Sequence, residues 1–143
     1  MFAQCIDSEQ LVELEVRRFL AHKLPLPVRP AWSRTEIAKF LKTQGWIGSR
    51  KGTISDWESK LCYYIKDFRD RIPTDEHGNR RSGYPLSQYQ FAVICKLSFV
   101  MTQIYPYVNG SEYLPLIQQL VKNREIQRRY LSYNAWFYEQ NSL

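Results

Sequence analysis

The most constraining stretch of this chain follows Pro85, where Ser87 can cap a helix that leaves few polar positions as far as Ile104. Its apolar members are Tyr89, Phe91, Ala92, Val93, Cys95, Leu97, Phe99, Val100, Met101 and Ile104. A helix that is apolar all round is a buried helix, so we expect this one to be buried on most sides. Its most apolar part, 91–100, contains a lysine and a serine and falls short of the ~18 residues of a membrane span.

The chain length and charge limit what such a protein does. The 143 residues suit one domain, and a composition of 44% hydrophobic and 24% charged residues is that of a globular chain. The net charge of +6 favours an anionic partner, nucleic acid first and an acidic protein or lipid second. Residues 32–85 hold most of the excess, with eleven basic against seven acidic side chains.

The cysteines and the N-terminus bear on the compartment. Cys5, Cys62 and Cys95 lie too far apart for a metal knuckle or a disulfide framework, and Cys95 is expected in the core. The start of the chain has neither a basic segment nor an apolar one of the secretory type. We therefore expect a cytoplasmic protein with reduced thiols, neither secreted nor membrane-spanning.

The first third of the chain predicts two elements. Residues 8–21 carry acidic side chains early and basic ones late, the order that a helix dipole favours, so we predict a helix there. Pro25, Pro27 and Pro30 then predict an extended connector, because proline lacks an N–H and disfavours helix in the residue before it. We therefore treat residues 1–31 as the first region of the chain, an N-terminal helix with a proline-rich connector.

Residues 32–86 predict a helix-turn-helix followed by an exposed loop. Ser33 and Glu36 form a capping-box pattern ahead of a short helix, a glycine-rich turn spans 42–52, and a second helix runs from Ile54 to about Tyr64. The loop 73–85 has two glycines and two adjacent arginines. A DNA reader needs a braced helix with short polar and basic groups at its start. The candidate DNA contacts are Arg34, Trp46, Ser49, Arg50, Lys51, Thr53, Ser55, Lys60, Arg80, Arg81 and Tyr84. For Trp46 two interpretations stay open, an anchor of the turn or an exposed ring in the long loop that stacks on the DNA or contacts its backbone.

The order of these segments resembles the winged helix-turn-helix of the MerR family. The resemblance rests on the stretch 35–41, on 53–58 with Trp57 near the middle of the second helix, and on 82–87 running into the long apolar helix. In that family a basic wing ends in a Gly-Tyr-Arg-x-Tyr motif, which Tyr84 matches, while Pro85 replaces the phosphate-binding arginine and Ser87 the second aromatic residue. The turn 42–52 is also longer than the family's.

The resemblance implies a fold and a function. It implies a mainly α fold, a winged helix-turn-helix with a small β wing, in which Arg80 and Arg81 take over the phosphate contact that Pro85 lacks. The chain is also similar in size and layout to the small MerR-like repressors that accompany type V-K CRISPR-associated transposons. We therefore expect a sequence-specific repressor of the bacterial nucleoid that binds double-stranded promoter DNA, with no cofactor and no small-molecule effector.

Residues 87–143 are expected to pair two copies of the chain. A final helical stretch is predicted over 113–133, followed by an aromatic tail that we expect to dock on the body or on a second subunit. The candidate homodimer contacts are Leu116, Ile117, Leu120, Tyr130, Trp136 and Phe137.

Two other functions compete with this interpretation. One is a protein-interaction adaptor whose basic surface and aromatic tail bind an acidic protein and read no DNA. The other is a metal-dependent nuclease built on acidic residues of 67–76, but these alternate with basic side chains in the manner of a salt-bridged surface. His22 and His77 lack a nucleophile or acid at a recognised spacing. We therefore expect no enzymatic activity and no metal.

Overall fold

The structure, a computed structural model, describes residues 8–73, 76–79, 83–106, 108 and 110–141, with the side chains of all of these except 8–11 and 111. The helices are α1 (Ser8–Leu20), α2 (Arg34–Gln44), α3 (Lys51–Tyr64), α4 (Lys66–Arg69), α5 (Gln88–Ile104), α6 (Tyr113–Val121), α7 (Arg124–Ile126) and α8 (Tyr133–Asn141). A 3₁₀ turn, Gly110–Glu112, precedes α6, and a π turn, Gln127–Leu131, follows α7. The prediction of a mainly α fold is confirmed.

The small β wing has no counterpart in the part of the chain that the structure describes. No strand occurs there, and the β pairing consists of one isolated antiparallel bridge between Trp32 and Leu86. Its two main-chain hydrogen bonds are each 2.8 Å long. This bridge joins the end of the connector to the end of the loop, so it fixes the base of the loop without forming a hairpin.

Helix α5 is the central element, as its apolar sequence predicts. Ser87 caps it, and the side chain of Gln90 returns a hydrogen bond to the Ser87 main chain in a full capping box. Phe91, Ile94 and Cys95 have no exposed surface. Helices α1, α2, α3 and α8 all contact α5, so the rest of the domain is assembled around it.

The connector between α1 and α2 lies against the start of α5. The side-chain oxygen of Gln88 accepts hydrogen bonds from the Arg29 main chain and from the Trp32 indole, and its amide nitrogen donates to the carbonyl of Pro27. The Trp32 ring stacks on Phe91 at 3.7 Å between centroids. The predicted helix over 8–21 is confirmed as α1, and the connector forms no helix.

The final helical stretch predicted over 113–133 is interrupted. Helix α6 ends at Val121, and Asn123 adopts an extended backbone while its side chain accepts a hydrogen bond from the main chain of Ile126. Asparagine competes with helix in this way because its side chain satisfies main-chain donors locally. The chain therefore turns at Asn123 and begins α7.

The aromatic tail forms α8 and docks on the body. Trp136 packs edge-on against Tyr89 of α5 at 5.9 Å between centroids, and Lys96 of α5 bonds Glu139 of α8 at 2.8 Å. The tail is not fully covered, because Phe137 stays 50% exposed and Tyr138 73% exposed.

Candidate nucleic-acid interface

The first turn of α3 combines free donors with positive charge. Helix α3 starts at Lys51, three residues before the predicted start, and its N-cap is Arg50 in an extended conformation with no side chain capping the helix. Arg50 and Lys51 are exposed, and neither forms an ion pair or hydrogen bond through its side chain within the described ranges. Uncapped N–H groups and two cations at the positive end of a helix dipole suit a phosphate oxygen.

The outward face of α3 carries small polar side chains. Ile54, Trp57 and Leu61 form its buried face. The exposed positions are Lys51, Gly52, Ser55, Asp56, Ser59 and Tyr63. Short side chains along the middle of an exposed helix face let another surface approach the helix backbone closely. Of the predicted contacts, Ser49 and Ser55 are exposed, whereas Thr53 and Lys60 are half-buried on the flank.

Arg34, a predicted DNA contact, is bound within the protein. Its Nε and Nη2 donate to the two carboxylate oxygens of Glu58, each at 2.6 Å, and its Nη1 donates to the carbonyl of Tyr84 at 2.9 Å. The two side chains are only 13% and 12% exposed. The hydrogen bond to Glu58 raises the pKa of Arg34. The guanidinium is therefore not available as the predicted DNA contact, because its N–H groups already join α2, α3 and the end of the loop.

A polar groove lies beside this contact. Its volume is about 900 Å³, and its walls are the start of α2, the outward face of α3 and the loop before α5. The residues along it include Thr35, Lys51, Ser55, Ser59, Asn79 and Gly83. Because Lys51 and Ser55 lie on one wall and the loop forms the other, anything bound along α3 also meets the loop.

The turn between α2 and α3 is short, and hydrogen bonds to α5 hold it. Gly45 ends α2 in a left-handed conformation, φ 72°, and only 45–50 separate the helices. The Ile47 N–H donates to Thr102 Oγ1 at 2.9 Å, and its carbonyl accepts from the Ser98 hydroxyl. Gly48 has φ 101°, and a Cβ there would lie 3.2 Å from Leu41 and Trp57 side-chain atoms. These bonds to α5 hold the start of α3 in place.

Trp46 belongs to this support more than to the exposed surface. It is half-buried and packs edge-on against Phe40 at 5.9 Å and Phe99 at 5.6 Å. The alternative that Trp46 is exposed and free to stack on a ligand is therefore wrong.

The arginine tip of the predicted wing lies outside the described residues. Arg80 and Arg81 are both in this part, so their contact with phosphate stays a prediction. Tyr84, the match to the family tyrosine, is 42% exposed. Its carbonyl accepts the Arg34 hydrogen bond, so the end of the loop is joined to the start of α2.

The predicted dimer contacts fall in different environments. Ile117 has no exposed surface and belongs to the core, so the structure does not agree with an interface role for it. Leu116, Leu120, Tyr130 and Trp136 are half-buried, and Phe137 is half-exposed.

Sequence reasoning missed Glu58 in this region. Glu58 gave no local signal, because its partner Arg34 lies 24 residues away in the sequence.

The acidic residues of 67–76 that the structure describes do not form a metal site. Asp67 accepts a hydrogen bond from the Tyr133 main chain, and Asp70 bonds Lys66 at 2.5 Å. The described residues contain no group of three His, Cys, Asp or Glu side chains placed to hold a metal ion. Nor do they contain a helix long and apolar enough to cross a membrane.

Comparison with known proteins gives no relative. No protein-family model, no curated protein and no solved structure matches the chain. The function therefore has to be argued from the site itself.

Proposed function

We propose that this protein is a sequence-specific, duplex-DNA-binding transcriptional regulator, a repressor that acts as a homodimer without a small-molecule effector. In this proposal α2 and α3 are a helix-turn-helix, α3 lies in the major groove, and the loop before α5 is the wing that follows the phosphate backbone. The observation that carries the proposal is the pair of exposed, unpaired cations, Arg50 and Lys51, at the uncapped start of α3.

The surroundings of that pair support duplex DNA over an acidic protein. Phosphate contacts position a DNA-binding domain, and short side chains near base edges give it specificity. Arg50 and Lys51 provide the phosphate contacts, and Ser55 and Ser59 on the next two turns of α3 provide the short side chains near base edges. The support of the turn by α5 contributes as well, because a held helix start loses little freedom on binding.

The test is binding to duplexes selected from a random pool, measured by fluorescence anisotropy at several salt concentrations. We expect the wild type to retain a sequence preference and to lose affinity steeply with salt. Arg50→Ala should weaken binding by about 1–3 kcal/mol if a base is read, or lower the salt slope by about 1 if only a phosphate is touched.

Arg128→Ala is the matched control. Arg128 is exposed, has no ion pair in the described part of the chain and lies just after α7, away from the groove. A wild type without sequence preference, or equal losses for the two variants, would contradict the proposal. Binding to an acidic protein in place of duplex DNA would support the adaptor.

A further inference from the structure

One flank of α6 is an apolar surface with no cover in the described residues. Leu116 and Leu120, one turn apart, are half-buried. They line an open groove of about 520 Å³ together with Val12 and Val16 of α1 and Met101 of α5. The groove is bordered by Gln119 and Asn123. An apolar strip with a polar rim is the usual form of a protein–protein interface.

The charges at the two ends of this flank have opposite signs and no partners. Glu112 precedes the first turn of α6, and Arg124 follows its last turn. Both are exposed, and neither forms an ion pair within the described ranges. The neighbouring Glu125, in contrast, bonds Arg17 at 2.9 Å, which lowers its pKa. Two such flanks placed antiparallel would set each acidic end beside a basic end.

The position of α3 agrees with this pairing. On α6, Gln118 donates to the hydroxyl of Tyr64 on α3. Positions 116 and 118 are separated by about 200° around a helix, so the leucine flank lies on the side of α6 away from α3. In a symmetric pair the helices then follow in the order α3, α6, α6, α3. Three helix separations of about 8–10 Å bring the two α3 axes up to about 30 Å apart, near the ~34 Å between half-sites.

We propose that the flank of α6 formed by Glu112, Leu116 and Leu120 binds the same flank of a second copy of this chain, antiparallel about a two-fold axis. The half-site spacing rests on the proposed function, but the apolar strip and the charges do not. Each acidic end meets Arg124 of the other copy, and the leucines of both copies fill the centre.

Sedimentation equilibrium of the full chain tests the interface with charge reversals on exposed residues, which leave the core untouched. We expect a wild-type dimer. Glu112→Lys should weaken it by about tenfold, because the two-fold axis repeats each lost pair and each new repulsion. The double variant E112K/R124E should return to within about threefold of wild type.

Phe137→Ser is the control, because Phe137 is a half-exposed aromatic residue on α8 and not on the α6 flank. It should leave the dimer unchanged. A wild-type monomer at high micromolar concentration, a dimer that ignores Glu112→Lys, a double variant that stays weak, or a dimer lost with Phe137→Ser would each overturn the interface.

The two proposals fail separately. A dimer that responds to Glu112→Lys but binds no duplex would refute the regulator and leave the interface. A protein that binds duplex DNA through Arg50 but whose dimer ignores Glu112→Lys would refute the interface and leave the regulator.

Discussion

The contact between Arg34 and Glu58 permits the sharpest test of how α2 and α3 are held together. Glu58→Ala removes both carboxylate oxygens that Arg34 bonds at 2.6 Å and leaves the guanidinium with the Tyr84 carbonyl alone. Breaking one partner of a fully buried ion pair costs about 3–5 kcal/mol. Because 13% of the Arg34 side chain is exposed, water reaches part of the stranded charge, so we expect a loss of about 2–3 kcal/mol.

The free energy of unfolding lost in Glu58→Ala comes from the Arg34 charge left without its partner as well as from the lost attraction between the two side chains. Replacing both residues by apolar ones, Arg34→Met with Glu58→Leu, removes the buried charge together with its partner. Such replacements are close to neutral in other buried pairs, so the double variant should recover to within about 1 kcal/mol of wild type. It still lacks the hydrogen bond to Tyr84, so the end of the loop is no longer joined to α2 in this variant.

Urea denaturation followed by tryptophan fluorescence measures these free energies. The control is Glu15→Ala, which breaks a pair with Arg18 whose side chains are 49% and 67% exposed, and which should cost less than about 0.5 kcal/mol. A Glu58→Ala loss no greater than that of Glu15→Ala, or a double variant less stable than the single one, would refute the reasoning.

Two further substitutions probe the turn and the cap of α2. Gly48→Ala should lower the free energy of unfolding in urea by about 1–3 kcal/mol, because Gly48 has φ 101° and its new Cβ would lie 3.2 Å from two core side chains. Gly52→Ala is the control, because a Cβ there meets nothing within 4 Å, and it should stabilise the protein slightly. Equal effects of the two substitutions would contradict this explanation. The hydrogen bond from the Ser33 main chain lowers the pKa of Glu36 below its usual 4.5. The stabilisation by this hydrogen bond is therefore complete above pH 4.5 and is lost as the pH falls through the lowered pKa of Glu36. Glu36→Gln should therefore make the free energy of unfolding depend less on pH in this acidic range. An unchanged pH dependence would count against the capping role of Glu36.

The local signals of the sequence predict the helix starts well when a side chain makes the cap. Ser33 and Ser87 both cap helices, as predicted, and Gln90 adds a capping box at Ser87 that was not predicted. The start of α3 was misplaced because Arg50 provides no capping side chain. The break at Asn123 was missed because the apolar spacing continues across it, and only the side chain of that asparagine ends the helix.

The sequence predicts those site residues whose exposure follows from their place along a helix, and it does not predict those whose role depends on a distant partner. Arg50 and Lys51 are exposed at the start of the second helix because that is where a turn enters the helix. The role of Arg34 depends on Glu58 and on the Tyr84 carbonyl, 24 and 50 residues away, and no local pattern carries such information. Trp46 was assigned to an open loop because the length of the turn was overestimated.

The support of α3 connects the two proposals physically and keeps them separable by experiment. The main chain of Ile47 bonds Ser98 and Thr102 on α5, while Tyr64 at the far end of α3 accepts a hydrogen bond from α6. Helix α3 is thus fixed at both ends to the elements that would carry the second copy. A change at Arg50 should alter the salt slope at every protein concentration, whereas a change at Glu112 should shift only the concentration at which two half-sites are filled together.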